Sequence, residues 1–260
     1  MRIPNLLQQS IATEELTLGA VAKLPSASLI EAYGDVGLDF VFLDYEHASG
    51  SPYDTGEMEQ LVRAANLADI EPLVRIPRPE PFFVRKALET GVRSLLVPQV
   101  ETAEEVRTLL KASKFEYQDQ PGNRGIAGYR ANSWGADMDN FLEREDQQTL
   151  LGVQIETSEA VQNLDEILQV PELGFVFIGH SDLAHSLGHG LDASHPEVQS
   201  KIRSIVQACT DANVPVGKVA DSISETRSDI EMGLQIFLLG YELDAVREVF
   251  GRWVTEFNNE

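Results

Sequence analysis

Residues 151–183, LGVQIETSEAVQNLDEILQVPELGFVFIGHSDL, show the alternation that runs through the chain. Leu151–Ile155 and Phe175–Ile178 are short apolar runs, as expected of strands that are buried on both faces. Between them, Ser158–Leu168 is longer and amphipathic, as expected of a helix. The stretch therefore predicts two parallel strands joined by a helix.

The same alternation extends in both directions over the whole sequence. The other apolar runs are Leu18–Ala22, Phe40–Asp44, Pro72–Ile76, Ser94–Pro98, Val214–Gly217 and Ile236–Leu239. The other amphipathic stretches are Ser28–Tyr33, Thr55–Ala68, Pro81–Glu89, Ala103–Ala112, His195–Ala212, Ser222–Met232 and Asp244–Phe257. Eight strands, each followed by a helix, predict an α/β protein with a (β/α)8 (TIM) barrel, formed as one domain by residues 1–260. A doubly wound open sheet is the alternative, but no Gly-x-Gly-x-x-Gly sequence follows an early strand.

One connection departs from this regular pattern. The gap from Phe115 to Thr149 is too long for an ordinary connection between a strand and a helix. We expect this segment to be functional or to contact a neighbouring subunit.

Acidic residues outnumber basic ones, 42 against 20, and the formal net charge is −22. Such a charge opposes binding to nucleic acid and to anionic lipid, so we expect neither as a partner. Only 6 of the 20 basic residues are lysines. An acidic, lysine-poor surface suits a high-salt cytoplasm, where screening weakens self-repulsion, and the hypothesis is a halophilic source. An ordinary acidic enzyme is the alternative.

The cysteine content and the hydropathy pattern limit the class of protein. With one cysteine, Cys209, the chain can form neither an internal disulfide nor a cysteine-based zinc site. The apolar runs are too short to span a bilayer, and Met1–Ser10 lacks the order of a signal peptide. We therefore expect a cytoplasmic protein with no membrane partner.

Two carboxylates follow neighbouring strands of the predicted barrel, Glu156 after the fifth and Asp182 after the sixth. Active sites of such barrels lie at the C-terminal ends of the strands. Two carboxylates at that place repel each other unless a cation or a proton lies between them, and oxygen ligands suit Mg²⁺ or Mn²⁺. The alternative is that each carboxylate pairs with an arginine or caps the helix that follows it.

Other polar groups follow strands at the same end. His47 lies near Asp44 and Glu46, where a histidine can act as a general base; otherwise it is an ordinary surface or core residue. Arg75 can bind a carboxylate or enolate oxygen, or form a salt bridge across the barrel end. The turn Gly179–Leu183 offers backbone N–H groups to a substrate carboxylate, although any helix start has such groups.

Taken together, these strand ends resemble the class II, metal-dependent pyruvate aldolases of the HpcH/HpaI aldolase/citrate lyase family, typified by 4-hydroxy-2-oxoheptane-1,7-dioate aldolase. The resemblance extends from about Leu18 to Phe257. The segments that carry it are Phe42–His47, Val74–Pro77, Leu96–Glu105, Arg124-Gly125, Val153–Thr157, Phe177–Leu183 and His195–Val198.

The resemblance implies an enzyme that reversibly cleaves a 4-hydroxy-2-oxo acid to pyruvate and an aldehyde through a metal-stabilised pyruvate enolate. It implies that Glu156 and Asp182 bind Mg²⁺ or Mn²⁺, with Co²⁺ as an alternative. It also implies that Arg75 stabilises the keto or enolate oxygen.

The remaining site residues are implied by the same resemblance. His47 matches the acid/base histidine, and Glu89 stands where the family has that histidine's acidic partner, often an aspartate. Asp44 matches an acidic residue that positions its neighbours. The residues that match substrate-binding positions, besides Arg75, are Gln154, Gly179, Ser181 and Asp182.

Besides Glu89, two positions depart from the pattern of the family. His180 stands where a proline is common, and Lys218 stands where an apolar residue is common. Lys218 either meets an anionic group on the aldehyde or points to solvent, and Lys23, near the end of the first strand, raises the same question. Either lysine also allows a Schiff-base aldolase, although the acidic surroundings would keep its amine charged.

Other reactions can use the same scaffold. A malyl- or citramalyl-thioester lyase and an oxaloacetate decarboxylase share the enolate chemistry, and a barrel kept as a binding or scaffold protein is a non-enzymatic alternative. The simultaneous presence of His47, Arg75, Glu156 and Asp182 favours an enzyme.

The last predicted helix indicates self-association. Asp244–Phe257 carries a broad apolar stripe, which suits a subunit interface as well as packing on its own barrel. The resemblance implies a homohexamer, assembled as a trimer of dimers, in which this helix packs on a neighbour.

Overall fold

The computed structural model describes residues 4–47, 50–117, 121–136, 138, 140–220 and 222–259. Eight parallel strands close into a barrel in chain order, with β8 hydrogen-bonded to β1. The strands are β1 (Thr17–Ala22), β2 (Phe40–Asp44), β3 (Glu71–Arg75), β4 (Ser94–Val97), β5 (Leu150–Ile155), β6 (Phe175–Ile178), β7 (Val216–Val219) and β8 (Ile236–Tyr241). The closed barrel confirms the predicted fold and excludes the doubly wound open sheet.

Helices surround the barrel and alternate with its strands. They are α1 (Leu6–Ala12), α2 (Ala27–Asp35), α3 (Thr55–Leu67), α4 (Pro81–Glu89), α5 (Ala103–Ser113), α6 (Phe141–Gln148), α7 (Ser158–Gln162), α8 (Leu164–Leu168), α9 (His180–Ser186), α10 (Pro196–Asp211), α11 (Ile223–Met232) and α12 (Glu242–Asn258). The helix predicted over Ser158–Leu168 is interrupted at Asn163. The long connection after α5 contains a 3-10 turn, Arg130–Gly135, and the helix α6. The apolar pattern did not predict α6, because only its first two residues are apolar.

Alternate residues of each strand point into the barrel lumen, which is filled by large rings opposite glycines. A Cβ atom on Gly19 would lie 2.5 Å from the ring of Phe40, and one on Gly152 would lie 2.4 Å from the ring of Phe175. The rings therefore occupy the space that the glycines leave, and the middle of the lumen is a packed core.

Helix α1 covers the base of the lumen, which is the end formed by the N-termini of the strands. Asn5 caps this helix and donates from Nδ2 to Ser94 Oγ at 2.9 Å. The buried Glu71 carboxylate accepts hydrogen bonds from Ser94 Oγ at 2.9 Å and from the Leu6 N–H at 3.0 Å. Burial raises the pKa of Glu71 to about 7, and these hydrogen bonds oppose the rise only in part.

The outer faces of the strands pack against the surrounding helices in a second, larger core. Helix α12 is the exception, because it leaves its apolar side chains exposed. Val246, Phe250, Trp253 and Phe257 are between 50% and 77% exposed. Packing on its own barrel therefore does not account for the apolar stripe of this helix.

Within the described ranges, no helix has the length and apolar character that crossing a bilayer requires.

Candidate active site

The alternation of side chains along the strands determines which polar residues meet at the mouth, the C-terminal end of the lumen. Asp44 ends β2 and Arg75 ends β3, and the two residues are paired in the sheet register. Two positions beyond Val21 of the lumen core, Lys23 follows β1 on the same side. Gln154 lies near the end of β5 and Glu156 follows that strand.

Arg75 is held by a bidentate ion pair with Asp44. The guanidinium donates from Nε to Asp44 Oδ1 at 3.0 Å and from Nη2 to Asp44 Oδ2 at 2.8 Å. Lys23 Nζ approaches the same Oδ2 at 3.1 Å. Burial alone would raise the pKa of the Asp44 carboxyl, but Arg75 and Lys23 outweigh burial and lower that pKa to about 2. Asp44 is therefore an anion that fixes two cations at the mouth.

The other edge of the Arg75 guanidinium points across the mouth. Its Nη1 lies 3.1 Å from Glu46 Oε2 and 3.4 Å from Gln154 Oε1. Phe42 supports the group from below, with the guanidinium carbon 5.4 Å from its ring centroid. The carboxylates around Arg75 raise its pKa in spite of burial. Arg75 is thus a permanent, rigidly oriented positive charge.

Glu156 is buried beside this guanidinium, and its hydrogen-bond donors are neutral. It accepts from the Gln99 N–H at 2.6 Å and from the Gln154 side-chain amide. Burial raises the pKa of Glu156 to about 7, and the negative charges of Glu46 and Asp182 add to the rise. A carboxylate kept among other carboxylates favours a bound cation.

Gln99, which donates to Glu156, and Glu46, which lies beside it, were not predicted as site residues. Gln99 has a left-handed backbone, φ 54°, which turns its N–H toward Glu156. Its side chain donates from Nε2 to Glu46 Oε1 at 2.8 Å. The available signal was position, because Glu46 follows β2 and Gln99 follows β4 at the end where the site lies. The sequence did not indicate the left-handed backbone of Gln99.

The turn from β6 into α9 brings Asp182 to the mouth. Gly179 is needed there, because a Cβ atom would lie 2.8 Å from Glu156 Oε2 and 2.7 Å from Gln154 Nε2. Ser181 and Asp182 are exposed at the rim and line the mouth cavity. The structure therefore brings all the proposed substrate-binding and metal-binding residues to one place.

A divalent cation fits the donor set of the mouth. Glu156 and Asp182 offer carboxylate oxygens from neighbouring strands, and Gly179 leaves room beside Glu156. With two protein ligands, most coordination positions would be left to water and substrate, as is usual for Mg²⁺.

His47 and Glu89 are not brought together within one chain. His47 lies in the turn after β2 with its side chain 59% exposed, and its Nε2 is 3.6 Å from Glu46 Oε2. Glu89 ends α4, a helix that runs back toward the base of the barrel, and it pairs with Lys86 at 2.9 Å. No hydrogen bond or ion pair between His47 and Glu89 occurs among the described residues. The expected pairing of these two residues therefore has no counterpart in a single copy.

The two lysines that the sequence singled out lie in different layers. Lys218 is on the outer face of β7, where it is buried and pairs with Asp229 of α11 at 2.9 Å. Because β7 ends at Val219, two residues later than expected, Lys218 neither reaches the aldehyde nor points to solvent. Lys23, by contrast, lies at the mouth.

The mouth opens into a cavity of about 560 Å³. It extends from Asp44 and Arg75 past Gly179 to Tyr241. Depressions of about 760 and 990 Å³ lie elsewhere, one between α8 and α10 and one near the base. The mouth cavity is smaller than these, but it is the one that the strand-end residues line.

A second group of metal-ligating side chains lies outside this cavity. His189, His195 and Glu197 have ligand atoms within 4.8 Å of one another. The two rings stack, with centroids 3.6 Å apart and planes at 17°, so an ion shared by both would lie far from the ring planes. His195 Nδ1 also accepts the Glu197 N–H at 3.3 Å as a helix cap. This geometry fits helix capping better than metal binding.

Comparison with known proteins gives consistent matches over nearly the whole chain. The model of the HpcH/HpaI aldolase/citrate lyase family matches residues 21–248. A 5-keto-4-deoxy-D-glucarate aldolase from Salmonella paratyphi A is 32% identical over 245 residues, which cover 94% of this chain and 93% of that protein.

Solved structures agree. A HpcH/HpaI aldolase/citrate lyase family protein from Burkholderia cenocepacia J2315 superposes with a TM-score of 0.91 at 30% identity, covering 98% of this chain and 99% of that one. A HpcH/HpaI aldolase from Desulfitobacterium hafniense DCB-2 has a TM-score of 0.88 at 24% identity, with 98% and 97% covered. The second likeness concerns the fold alone.

Proposed function

The chain belongs to the HpcH/HpaI aldolase/citrate lyase family and is a carbon–carbon lyase, and we propose that it reversibly cleaves a 4-hydroxy-2-oxo acid to pyruvate and an aldehyde. One observation carries this proposal. A fixed guanidinium, Arg75, and a buried carboxylate of raised pKa, Glu156, converge on one side chain, Gln154. Arg75 and Gln154 line a cavity of about 560 Å³.

The residues of the chain have distinct roles in this reaction. Arg75 offers its Nη1 edge to the 2-oxo oxygen, where negative charge develops as the bond between C3 and C4 breaks. Asp44 keeps that edge in place. Gly179, Ser181 and Asp182 form the rim against which the 2-oxo acid end lies.

Glu156 and Asp182 would hold a divalent cation, Mg²⁺ or Mn²⁺, with Co²⁺ as an alternative. When bound, such a cation supplies a Lewis acid that lowers the energy of the pyruvate enolate. The neutral donors around Glu156 orient its carboxylate without cancelling its charge.

His47 takes the proton of the 4-hydroxyl group as the aldehyde forms, and the electron pair of the broken bond passes into the enolate. Protonation of the enolate at C3 then gives pyruvate. Among the residues that the structure describes, His47 Nε2 lies 3.6 Å from Glu46 Oε2. For Glu89 to assist His47, a second copy must bring the end of its α4 to the mouth.

The apolar face of α12 supports a homo-oligomer, and the family resemblance suggests a hexamer built as a trimer of dimers. Sedimentation would test this: we expect a mass that is a multiple of 28.7 kDa, and a single 28.7 kDa species would contradict it. The cytoplasmic location and the halophilic source stay predictions; stability that does not increase in molar salt would contradict the latter.

The proposed reaction is tested by pyruvate release from a set of 4-hydroxy-2-oxo acids, with Mn²⁺ or Mg²⁺ against EDTA. We expect metal-dependent release that falls by at least a hundredfold in Glu156→Gln, which keeps the size of the side chain. Glu159→Gln, three residues along and exposed on α7, is the matched control.

Other outcomes would contradict the proposal. Release that survives EDTA, with borohydride trapping at Lys23, would indicate a Schiff-base aldolase. No release, together with cleavage of an acyl-coenzyme A substrate, would indicate a thioester lyase.

Decarboxylation of oxaloacetate is expected as a side activity because it passes through the same enolate.

A further inference from the structure

A small cavity lined by three arginines lies outside the barrel. Its volume is about 220 Å³, and it is formed by α3, the turn after α4 and the 3-10 turn of the long connection. Arg93 directly precedes β4, so the cavity lies toward the base, at the end opposite to the mouth. We call this cavity the arginine pocket; its lining includes Arg63, Asn66, Arg93, Arg130 and Trp134.

Two of the three arginines have carboxylate partners. Arg63 pairs with Glu59 of the same helix at 2.8 Å, and its side chain is 36% exposed. Arg93 pairs with the buried Glu145 at 2.7 Å, and the same carboxylate lies 4.0 Å from Arg124. The Glu145 carboxylate is therefore shared between two guanidinium groups.

Arg130, the third arginine, donates to a neutral group. Its Nη1 lies 2.8 Å from the carbonyl oxygen of Thr90, and within the described ranges no carboxylate lies at ion-pair distance from its guanidinium. Burial lowers the pKa of Arg130, Arg63 and Arg93 lower it further, and Glu59 opposes them. A partly buried cation beside other cations is unfavourable unless an anion compensates it.

The backbone beneath Arg130 leaves space for its guanidinium. Gly91, in the turn after α4, has φ 95°, and a Cβ atom at this position would overlap Arg130 Nη1. Glycine therefore satisfies both the left-handed backbone and the close approach. The guanidinium is held in the wall of the pocket and does not extend freely into solvent.

Trp134 forms a rigid part of the rim. Ser133 and Trp134 both have a left-handed backbone, φ 53° and 56°, which is unfavourable for residues other than glycine. The buried Asn132 fixes this turn, because its Oδ1 accepts from the N–H groups of Tyr129 and Gly135, both at 3.0 Å. The Trp134 side chain is nevertheless 66% exposed, so the turn presents a large ring beside the guanidinium groups.

We propose that the arginine pocket binds a phosphate group, either as inorganic phosphate or as part of a small phosphorylated metabolite. Guanidinium groups bind oxyanions through paired N–H groups, and three of them match the several oxygens of a phosphate better than the two of a carboxylate. A phosphate at this place supplies the anion that Arg130 lacks. Because the pocket and the mouth lie at opposite ends, this binding does not depend on the proposed aldol reaction.

Titration of the full-length enzyme with inorganic phosphate and with glycerol 3-phosphate tests the site, and glycerol is the neutral control. The chain has two tryptophans, Trp134 and Trp253, so Trp253→Phe leaves Trp134 as the fluorescent reporter. We expect saturable binding by calorimetry and a change in Trp134 fluorescence. At least tenfold tighter binding of glycerol 3-phosphate identifies a phosphorylated metabolite as the ligand; equal or weaker binding identifies the free ion.

Substitutions in the pocket assign this binding. We expect Arg130→Gln to weaken phosphate binding at least tenfold, whereas Arg227→Gln, on the exposed side of α11, leaves it unchanged. Gly91→Ala displaces the Arg130 guanidinium and should also weaken binding at least tenfold. Gly37→Ala is its matched control, because Gly37 has φ 83° but a Cβ atom there would have nothing within 4 Å.

Three results would overturn the proposal. They are no saturable binding of either phosphate probe, unchanged affinity in Arg130→Gln, and binding that Arg75→Lys weakens but Arg130→Gln does not, which would place the phosphate at the mouth. If Arg130→Gln and Gly91→Ala do not fold, Arg63→Gln decides, because Arg63 lies at the surface of α3. We expect it to weaken binding at least threefold, and unchanged affinity would overturn the site.

Discussion

The two ends of the barrel lumen each contain a buried carboxylate, and the two differ greatly in pKa. At the mouth, Arg75 and Lys23 lower the pKa of Asp44 to about 2. At the base, Glu71 has neutral hydrogen-bond donors in Ser94 and the Leu6 N–H, and burial raises its pKa to about 7. Burial is common to both ends, so the partners decide the charge.

The two ends of the lumen have different functions. The base uses neutral hydrogen bonds to close the barrel beneath α1. The mouth uses ionic contacts, and it adds a second carboxylate, Glu156, whose donors resemble those of Glu71 more than those of Asp44. Both Glu71 and Glu156 have neutral hydrogen-bond donors. Glu71 is enclosed at the base of the barrel, whereas Glu156 lies at the open mouth, where a cation can reach it.

Replacing Asp44 would disrupt the mouth most strongly. Asp44→Asn removes the charge that holds Arg75 and Lys23, and a buried cation without its partner costs about 3–5 kcal/mol of unfolding free energy. Because Arg75 also loses its orientation, we expect pyruvate release to fall by about 10²–10³-fold. Urea unfolding and steady-state kinetics measure the two effects. Near-normal release by folded Asp44→Asn would contradict the positioning role.

Glu71 makes the base sensitive to pH. Its pKa is higher in the folded state, about 7, than its ordinary value of 4.5, so its contribution to stability is complete below pH 4.5 and is lost as the pH rises through 7. The difference corresponds to about 3 kcal/mol.

Glu71→Gln removes this titration and keeps the hydrogen-bonding capacity. We expect it to match the unmodified protein at pH 5 and to be more stable than it at pH 8. Glu31→Gln, on the exposed side of α2, removes one charge without burial and corrects for the repulsion within an acidic chain. Equal unfolding free energies of Glu71→Gln and the unmodified protein at pH 8 would show that burial of the ionised Glu71 carboxylate does not destabilise the fold.

Gly179→Ala would test whether cation binding needs the space that the glycine leaves beside the Glu156 carboxylate. The added methyl group would meet Glu156 Oε2 at 2.8 Å, so the carboxylate must shift. We expect a loss of about 1–3 kcal/mol in stability and at least tenfold weaker Mn²⁺ binding, measured by calorimetry. Gly125→Ala is a fair control, because its Cβ atom would have nothing within 4 Å. Unchanged Mn²⁺ affinity would place the cation elsewhere.

Glu89 should have the smallest effect on stability. Its pair with Lys86 is a partly exposed surface contact, and we expect Glu89→Gln to change the unfolding free energy by less than about 1 kcal/mol. If a neighbouring copy brings Glu89 to His47, the pH profile of kcat will shift in this variant although stability does not. An unchanged profile would remove Glu89 from the acid/base pair.

Sequence reasoning predicted the barrel because its evidence is local. Apolar runs buried on both faces, amphipathic stretches between them and polar residues at the strand ends are properties of the chain itself. The same reasoning predicted Arg75 and Glu156 as site residues, since each ends or follows a strand and the ends of parallel strands meet at one place. The resemblance to the family implied Asp44 and Gln154.

The tertiary structure alone decided which atoms face each other. Lys218 lies within β7 and not after it, so its side chain takes the outer face of the strand and meets Asp229. The same alternation along β1 directs Lys23 to the mouth. The left-handed backbone of Gln99 and the distance of Glu89 from the mouth likewise depend on the closed barrel. Strand position and helix direction are fixed by hydrogen bonds and packing between distant segments, and a single segment of sequence does not contain them.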